Sequence, residues 1–339
     1  MARNFIEGDD SADTLRGTGR DDQLQGFEGD DLLEGMAGDD SLYGDAGDDT
    51  LIGGPDDDLL NGGPGADLLD GGTGDDDSVV YWDSDAAVNV NLTTNEVSGG
   101  HADGDTISGF EWAYGSEYAD TIVGTDARNL LWGGDGDDSI EAGAGDDSLF
   151  GGYGNDTLRG GVDDDTLRGG PGADVLDGGS GDDDKAIYWA SDGGVTVDLS
   201  TGRGSGGQAE GDRLFGVEQV EGSSWNDSLT GDGSDNLLLG GWGRDTLRGG
   251  EGSDTLIGEE GDDRIFGNGG DDVIVGDEGN DTLNGGHGDD DLSAHSGDNV
   301  LYGSNGDDWL AGGQGDDTLH GGQGDDLLWG SGGSDVLTS

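Results

Sequence analysis

The chain has 339 residues, of which 78 are Gly, 79 are Asp or Glu and 12 are Lys or Arg, for a formal net charge of −67. Hydrophobic residues make up 29%, a composition that on its own reads as disorder. The charge excludes nucleic acid and anionic membranes, which need basic patches, and makes multivalent cations the natural counter-species.

The N-terminal stretch Met1–Glu7 has no apolar h-region, so no cleaved signal peptide is expected. There is no cysteine for disulfides or thiolate metal sites, and no run approaches the length of a membrane span. From Gly8 the chain reads as nine-residue rows. Gly-Asp-Asp-Ser-Ala-Asp-Thr-Leu-Arg is the first, and Gly-Gly-Gln-Gly-Asp-Asp-Thr-Leu-His, from Gly312, is among the most regular. Three arrays keep this register, over 8–79, 115–186 and 222–339, with residues 1–7 read as an N-terminal cap. Position eight is Leu or Ile except at Ser78 and Lys185, each at the end of an array.

Position six is aspartate in almost every row. In the first array these are Asp13, Asp22, Asp31, Asp40, Asp49, Asp58, Asp67 and Asp76. In the second they are Asp120, Asp138, Asp147, Asp156, Asp165, Asp174 and Asp183. In the third they are Asp227, Asp245, Asp254, Asp263, Asp272, Asp281, Asp290, Asp308, Asp317, Asp326 and Asp335. Asn129, Asn236 and Asn299 take the place in the remaining rows. Glycines at positions one, two and four make a tight turn. The last three residues make a minimal strand with one apolar side chain inward. Two turns and two strands give an 18-residue coil, and stacked coils give parallel sheets without helices.

The segments 80–114 and 187–221 interrupt the rows and repeat one another at an offset of 107 residues, Tyr81-Trp82 matching Tyr188-Trp189. Val88, Val90 and Leu92 alternate as in a half-buried strand, and so do Val195, Val197 and Leu199. Each segment is too short for a core of its own and reads as irregular, wider coils. Trp82, Trp112, Trp189 and Trp225 are expected in local core.

The GGxGxDxUx pattern resembles the hemolysin-type calcium-binding (RTX) nonapeptide repeats of type I-secreted bacterial proteins; general tabulations of repeat periods already give this nonapeptide as a Ca²⁺-binding β-helix repeat. The resemblance implies an all-β fold, a parallel β-roll (a right-handed parallel β-helix or solenoid) with Ca²⁺ along both turn edges. It implies that each ion takes position-six Asp from two turns 18 residues apart, with carbonyls of the glycine turn completing the shell, for up to about 20 ions. It also implies type I export to the extracellular space, directed by an uncleaved C-terminal signal, for which Val336-Leu337-Thr338-Ser339 is the candidate.

Physical chemistry agrees on the metal. Carboxylates on strands about 4.8 Å apart repel by roughly 3–4 kcal/mol at an effective dielectric near 20, and a divalent cation reverses the sign. Calcium accepts irregular all-oxygen shells, whereas magnesium demands a tight octahedron and zinc prefers His or Cys. His101, His287, His295 and His320 form no ligand cluster in sequence.

No catalytic signature is expected: no His precedes Glu, and there is no GxSxG elbow. Three roles follow: an extracellular structural or matrix protein folding on calcium, a secretion-and-folding module of a larger enzyme or toxin, or a carbohydrate-binding module. End-to-end self-association and polysaccharide binding are the partner classes left open besides calcium. Tyr43, Trp132, Phe150, Phe266, Tyr302 and Trp329, at position nine, are expected to point outward without forming a continuous stripe.

Overall fold

Alternation of one inward apolar residue per short strand with glycine turns leaves the chain one way to bury its leucines. Rows must stack so that each leucine meets the one two rows on. The computed structural model, which describes residues 3–339, is built this way. It is all-β, and its helical elements among the described residues are the three-residue 3-10 turns Gly100–Ala102 and Gly207–Ala209. Two compact units form, one of residues up to 169 with Gly179–Gly181, the other of Gly170–Gly178 with Asp182–Ser339.

In the first unit, strand Asp22–Glu28 pairs in parallel with Ser41–Ala46, setting Leu24 against Leu42. On the opposite face Leu32–Glu34 pairs with Thr50–Pro55, setting Leu33 against Leu51. All four leucines are fully buried. The second unit repeats the scheme: Leu256 aligns with Ile274, and Leu247 with Ile265. Position eight thus forms two facing apolar ladders, one residue per row, between sheets whose backbone hydrogen bonds run from coil to coil. At the N-terminal end Asn4–Glu7 pairs with Asp22–Gln25 and puts Ile6 in line with Leu24. Phe5 is 69% exposed and does not cover the first coil; Met1 and Ala2 of the expected cap lie outside the described residues.

The row register slips by one at the end of each of the first two arrays. Leu60 pairs with Val79, not with Ser78, and Val79 and Ala186 are fully buried. The run Asp75-Asp76-Asp77 absorbs the extra residue in its turn, and Asp182-Asp183-Asp184 does the same. The two non-apolar exceptions at position eight are therefore artefacts of counting, because the core selects the nearest apolar side chain.

The 80–114 segment adds strands to the stack. Thr106–Ser108 pairs in parallel with Leu68–Asp70 across an offset of 38 residues. Trp112–Tyr114 pairs with Ser78–Val80. Asn89–Asn91 forms an antiparallel hairpin with Glu96–Ser98 and pairs in parallel with Thr121–Val123. The 187–221 segment has the same elements 107 residues on. Its core is Tyr188 with Val195 and Val197, as that of the first is Tyr81 with Val88 and Val90. The tryptophans expected there lie outside: Trp82, Trp189 and Trp225 are 45%, 53% and 54% exposed, and Trp112 is half-buried. In the first unit the outward aromatics also form a stripe, contrary to expectation. Trp82 meets Tyr114 edge-on at 6.3 Å, Tyr114 stacks toward Trp132 at 6.5 Å, and Trp132 stacks on Phe150 at 5.2 Å. The parallel register sets Tyr114, Trp132 and Phe150 one above another, so these three rings cover one another's faces.

Candidate metal centres

Each position-six aspartate ends a turn and begins a strand, so its side chain folds back under its own turn. Its Oδ1 accepts the N–H of the aspartate one coil earlier: Asp31 N–H to Asp49 at 2.7 Å, Asp49 to Asp67 at 2.8 Å, Asp245 to Asp263 at 2.7 Å, and Asp263 to Asp281 at 3.0 Å. Those N–H groups have no strand partner, so one carboxylate oxygen per row is committed to holding the coils together.

The other oxygen is buried without a hydrogen-bond donor at Asp31, Asp40, Asp49, Asp58, Asp67, Asp138 and Asp147 in the first unit. In the second unit the same holds at Asp245, Asp254, Asp263, Asp272, Asp281, Asp290, Asp308 and Asp317. A buried carboxylate oxygen with no partner carries a large desolvation penalty, and here it recurs along both edges. At Asp67 burial, helped by neighbouring aspartates, pushes the carboxyl up from the ordinary 3.8 to about 7, and at Asp58 and Asp245 to about 8.

The space around these oxygens is lined with more oxygen. A Cβ added at Gly26, position one of its row, would lie 2.2 Å from Asp31 Oδ2 and 2.7 Å from the Gly44 carbonyl oxygen of the next coil. At Gly267 the corresponding distances are 2.1 Å to Asp272 Oδ2 and 2.6 Å to the Gly285 carbonyl oxygen. Glycine at position one therefore keeps open a small oxygen-walled space. Among the described residues no three His, Asp or Glu side chains converge on one point, so carbonyls must complete any cation shell. The donor set is all oxygen, which fits a hard cation such as Ca²⁺ and not zinc.

The model of the RTX calcium-binding nonapeptide repeat matches residues 7–42, 43–77, 114–149, 150–184, 214–247, 239–274, 248–283, 266–301 and 302–337. The chain belongs to this RTX family. RTX repeats bind calcium in a β-roll, a calcium-binding fold that is itself non-catalytic. No curated protein matches the chain.

The RTX roll places the sequence-derived aspartates unevenly. Asp13, Asp326 and Asp335 are only half-buried, whereas Asp120, Asp156, Asp165, Asp174 and Asp227 are buried. Asp22 is buried, but Thr18 donates both its N–H and its hydroxyl to its Oδ2. Two residues are displaced by the register slip. Asp77, not Asp76, is buried and accepts the Asp58 N–H at 2.8 Å, while Asp76 faces Arg128 at the surface. Likewise Asp184 is buried, and Asp183 is exposed with Gln219 donating to it at 3.0 Å. Sequence reasoning also missed Asp105 and Asp212, which accept the N–H groups of Asp67 and Asp174 across 38 residues. Glu111 and Glu218 were missed as well, and accept from Asp77 and Asp184. The signal was present: Asp105-Thr106-Ile107-Ser108 and Asp212-Arg213-Leu214-Phe215 read as the last four positions of a row.

The two carboxylate oxygens make separable predictions. Asp263→Asn keeps an acceptor for the Asp245 N–H but removes the charge at the orphaned oxygen; Asp263→Ala removes both. Asp263→Asn is expected to lower bound calcium at its own edge while preserving the calcium-loaded circular dichroism spectrum. Asp263→Ala is expected to lose both calcium and structure in neighbouring coils, because solenoid units stabilise one another. Equal calcium stoichiometry in Asp263→Asn and the unsubstituted chain would remove Asp263 from the ligand set.

Proposed function

We propose that this chain is an extracellular structural repeat protein that folds on binding many calcium ions, its position-six aspartates with an orphaned Oδ2 and the turn carbonyls being the ligands. The observation that carries the reading is the file of buried, donorless Oδ2 atoms along both edges of each unit. Such a file is unfavourable in a metal-free roll, and ligation by a divalent cation satisfies it. When bound, the ion supplies positive charge between coils. The residues of this chain supply the rest: Oδ1 fixes the coil-to-coil register, Oδ2 and the position-one carbonyls present oxygen, and glycine keeps the space clear.

Asp77 and Asp184 take the buried position-six places that counting gives to Asp76 and Asp183, and Asp77 Oδ2 there accepts the Gly74 N–H at 3.1 Å. A metal that binds the native state alone supplies folding free energy, so folding is coupled to a calcium-rich compartment, which supports type I export and an extracellular site of action. A non-catalytic role is consistent with the repetitive surface, in which carboxylates recur for structural reasons. Calorimetric titration of the metal-stripped chain with CaCl₂, alongside MgCl₂, tests the reading. Cooperative uptake of on the order of ten or more calcium ions, with gain of β signal and no matching response to magnesium, is expected. Failure to bind calcium at millimolar concentration would end it.

A further inference from the structure

The two interruptions and the first rows after each carry protein donors where most rows carry orphaned oxygens. The buried Tyr81 hydroxyl donates to Asp105 Oδ2 at 3.1 Å, and Tyr188 donates to Asp212 Oδ2 at 2.9 Å. Ser116 gives both its N–H and its hydroxyl to Asp120, and Ser223 does the same for Asp227. In the following rows asparagine stands at position six. Asn129 Nδ2 donates to the Glu111 carbonyl at 2.7 Å, and Asn236 Nδ2 to the Glu218 carbonyl at 3.2 Å. All of these pairs recur at the 107-residue offset, so the whole set was duplicated as one unit.

A second observation concerns the core. Between residues 79 and 113 ten apolar side chains are buried, Tyr81, Ile107 and Phe110 among them. The 35 residues 238–272 of the third array bury four. Hydrophobic burial scales with area removed from water, so per residue the interruption has far more driving force than a row. It also has no open carboxylate oxygen to desolvate at Asp105 or Asp120.

We propose that segments 77–129 and 184–236 fold without calcium and act as seeds, one in each unit, on which the calcium-dependent rows wind up. Tyr81, Tyr188, Ser116 and Ser223 do with hydroxyl protons what calcium does elsewhere, and the rows they close take no ion. A preformed coil offers its neighbours a strand edge and an apolar ladder. The next row then only has to propagate, and the roll avoids the cost of nucleating a coil from disordered chain. The proposal rests on the calcium requirement of the arrays.

Hydrogen–deuterium exchange of the full chain, followed by mass spectrometry in chelator at pH 7.5 and again in millimolar calcium, tests it. In chelator, peptides covering Val90, Ile107 and Ala113, and Val197, Leu214 and Val220, are expected to exchange at least about 10-fold more slowly than those covering Leu256 and Ile274. Calcium is expected to protect all of them. The double variant Tyr81→Phe/Tyr188→Phe is expected to lose the chelator-resistant protection and regain it in calcium, and Tyr43→Phe to leave it unchanged. Interruptions that exchange as fast as the arrays in chelator would overturn the seed role. So would full retention of protection in the double variant. Arrays protected in chelator would instead overturn the calcium requirement, and the seed role with it. The unsubstituted chain alone decides the matter if the double variant does not refold.

Discussion

Lowering the pH of the calcium-free protein from 8 to 5 is expected to compact it, the reverse of ordinary acid denaturation. In the folded roll, burial raises Asp58 and Asp245 to about 8. It raises Asp138, Asp147, Asp254, Asp281 and Asp290 to about 7, and Asp263 and Asp272 to about 6. In the unfolded chain these groups return to the ordinary 3.8. The folded state therefore binds more protons than the unfolded state between about pH 4 and pH 8. The stability these groups contribute is complete below pH 4 and is lost as pH rises through 6 to 8. At pH 8 without calcium the carboxylates are ionised, desolvated and stacked, and the arrays open. At pH 5, still above the isoelectric point of 4.1, protons take the place of the cation. Calcium and protons then compete, so calcium affinity is expected to fall as pH drops from 8 toward 6. Circular dichroism and hydrodynamic radius against pH, in metal-stripped buffer and in millimolar calcium, give both curves. A calcium-free chain equally expanded at pH 8 and pH 5 would contradict the desolvation account of the aspartates.

Row register, inward leucines and the all-β roll follow from the sequence because each depends on a pattern repeated many times. Local exceptions are legible only when two patterns are read against each other. Counting nines assigns Asp76 and Asp183 to position six. Asking which residue puts an apolar side chain two places later assigns Asp77 and Asp184, through Val79 and Ala186. Within Asp75-Asp76-Asp77 the acid itself carries no information, and the core decides. Asp105 was harder to find because its partner row lies 38 residues away, beyond any fixed period. The closure of Asp120 by Ser116 has a compositional trace. Rows from Gly17, Gly115 and Gly222 carry Thr or Ser at position two and Arg20, Tyr118 or Trp225 at position four. The hydroxyl residue at position two is what closes the site, because its N–H and hydroxyl both reach the position-six carboxylate. The aromatic stripe escaped because Trp82 and Tyr114 come from an interruption, where no row number predicts their height in the stack.

Gly261→Val is expected to be among the most damaging single substitutions in the third array. Gly261 holds φ at 146°, a region β-branched residues do not adopt. A Cβ there would stand 1.3 Å from the Gly243 carbonyl oxygen of the preceding coil. Both obstacles are backbone, so no side-chain rotation relieves them, and the coils would have to separate where the Asp245-to-Asp263 hydrogen bond of 2.7 Å holds them. Strain of this kind costs more than about 3 kcal/mol, and it falls between coils whose stability comes from nearest-neighbour contact. Gly233→Ala is the matched control, since a Cβ at Gly233 meets nothing within 4 Å. In calcium, Gly261→Val is expected to bind several fewer ions and to show rapid hydrogen exchange around Leu247, Leu256 and Ile265, while Gly233→Ala behaves as the unsubstituted chain. Because the damage starts at a coil junction, exchange should slow again with distance along the roll, toward Leu229 on one side and Leu310 on the other. Equal calcium uptake by the two variants would mean that the coils tolerate a wider spacing at this turn, and that the close glycine-to-carbonyl approach is not what sets the register of the ligand file.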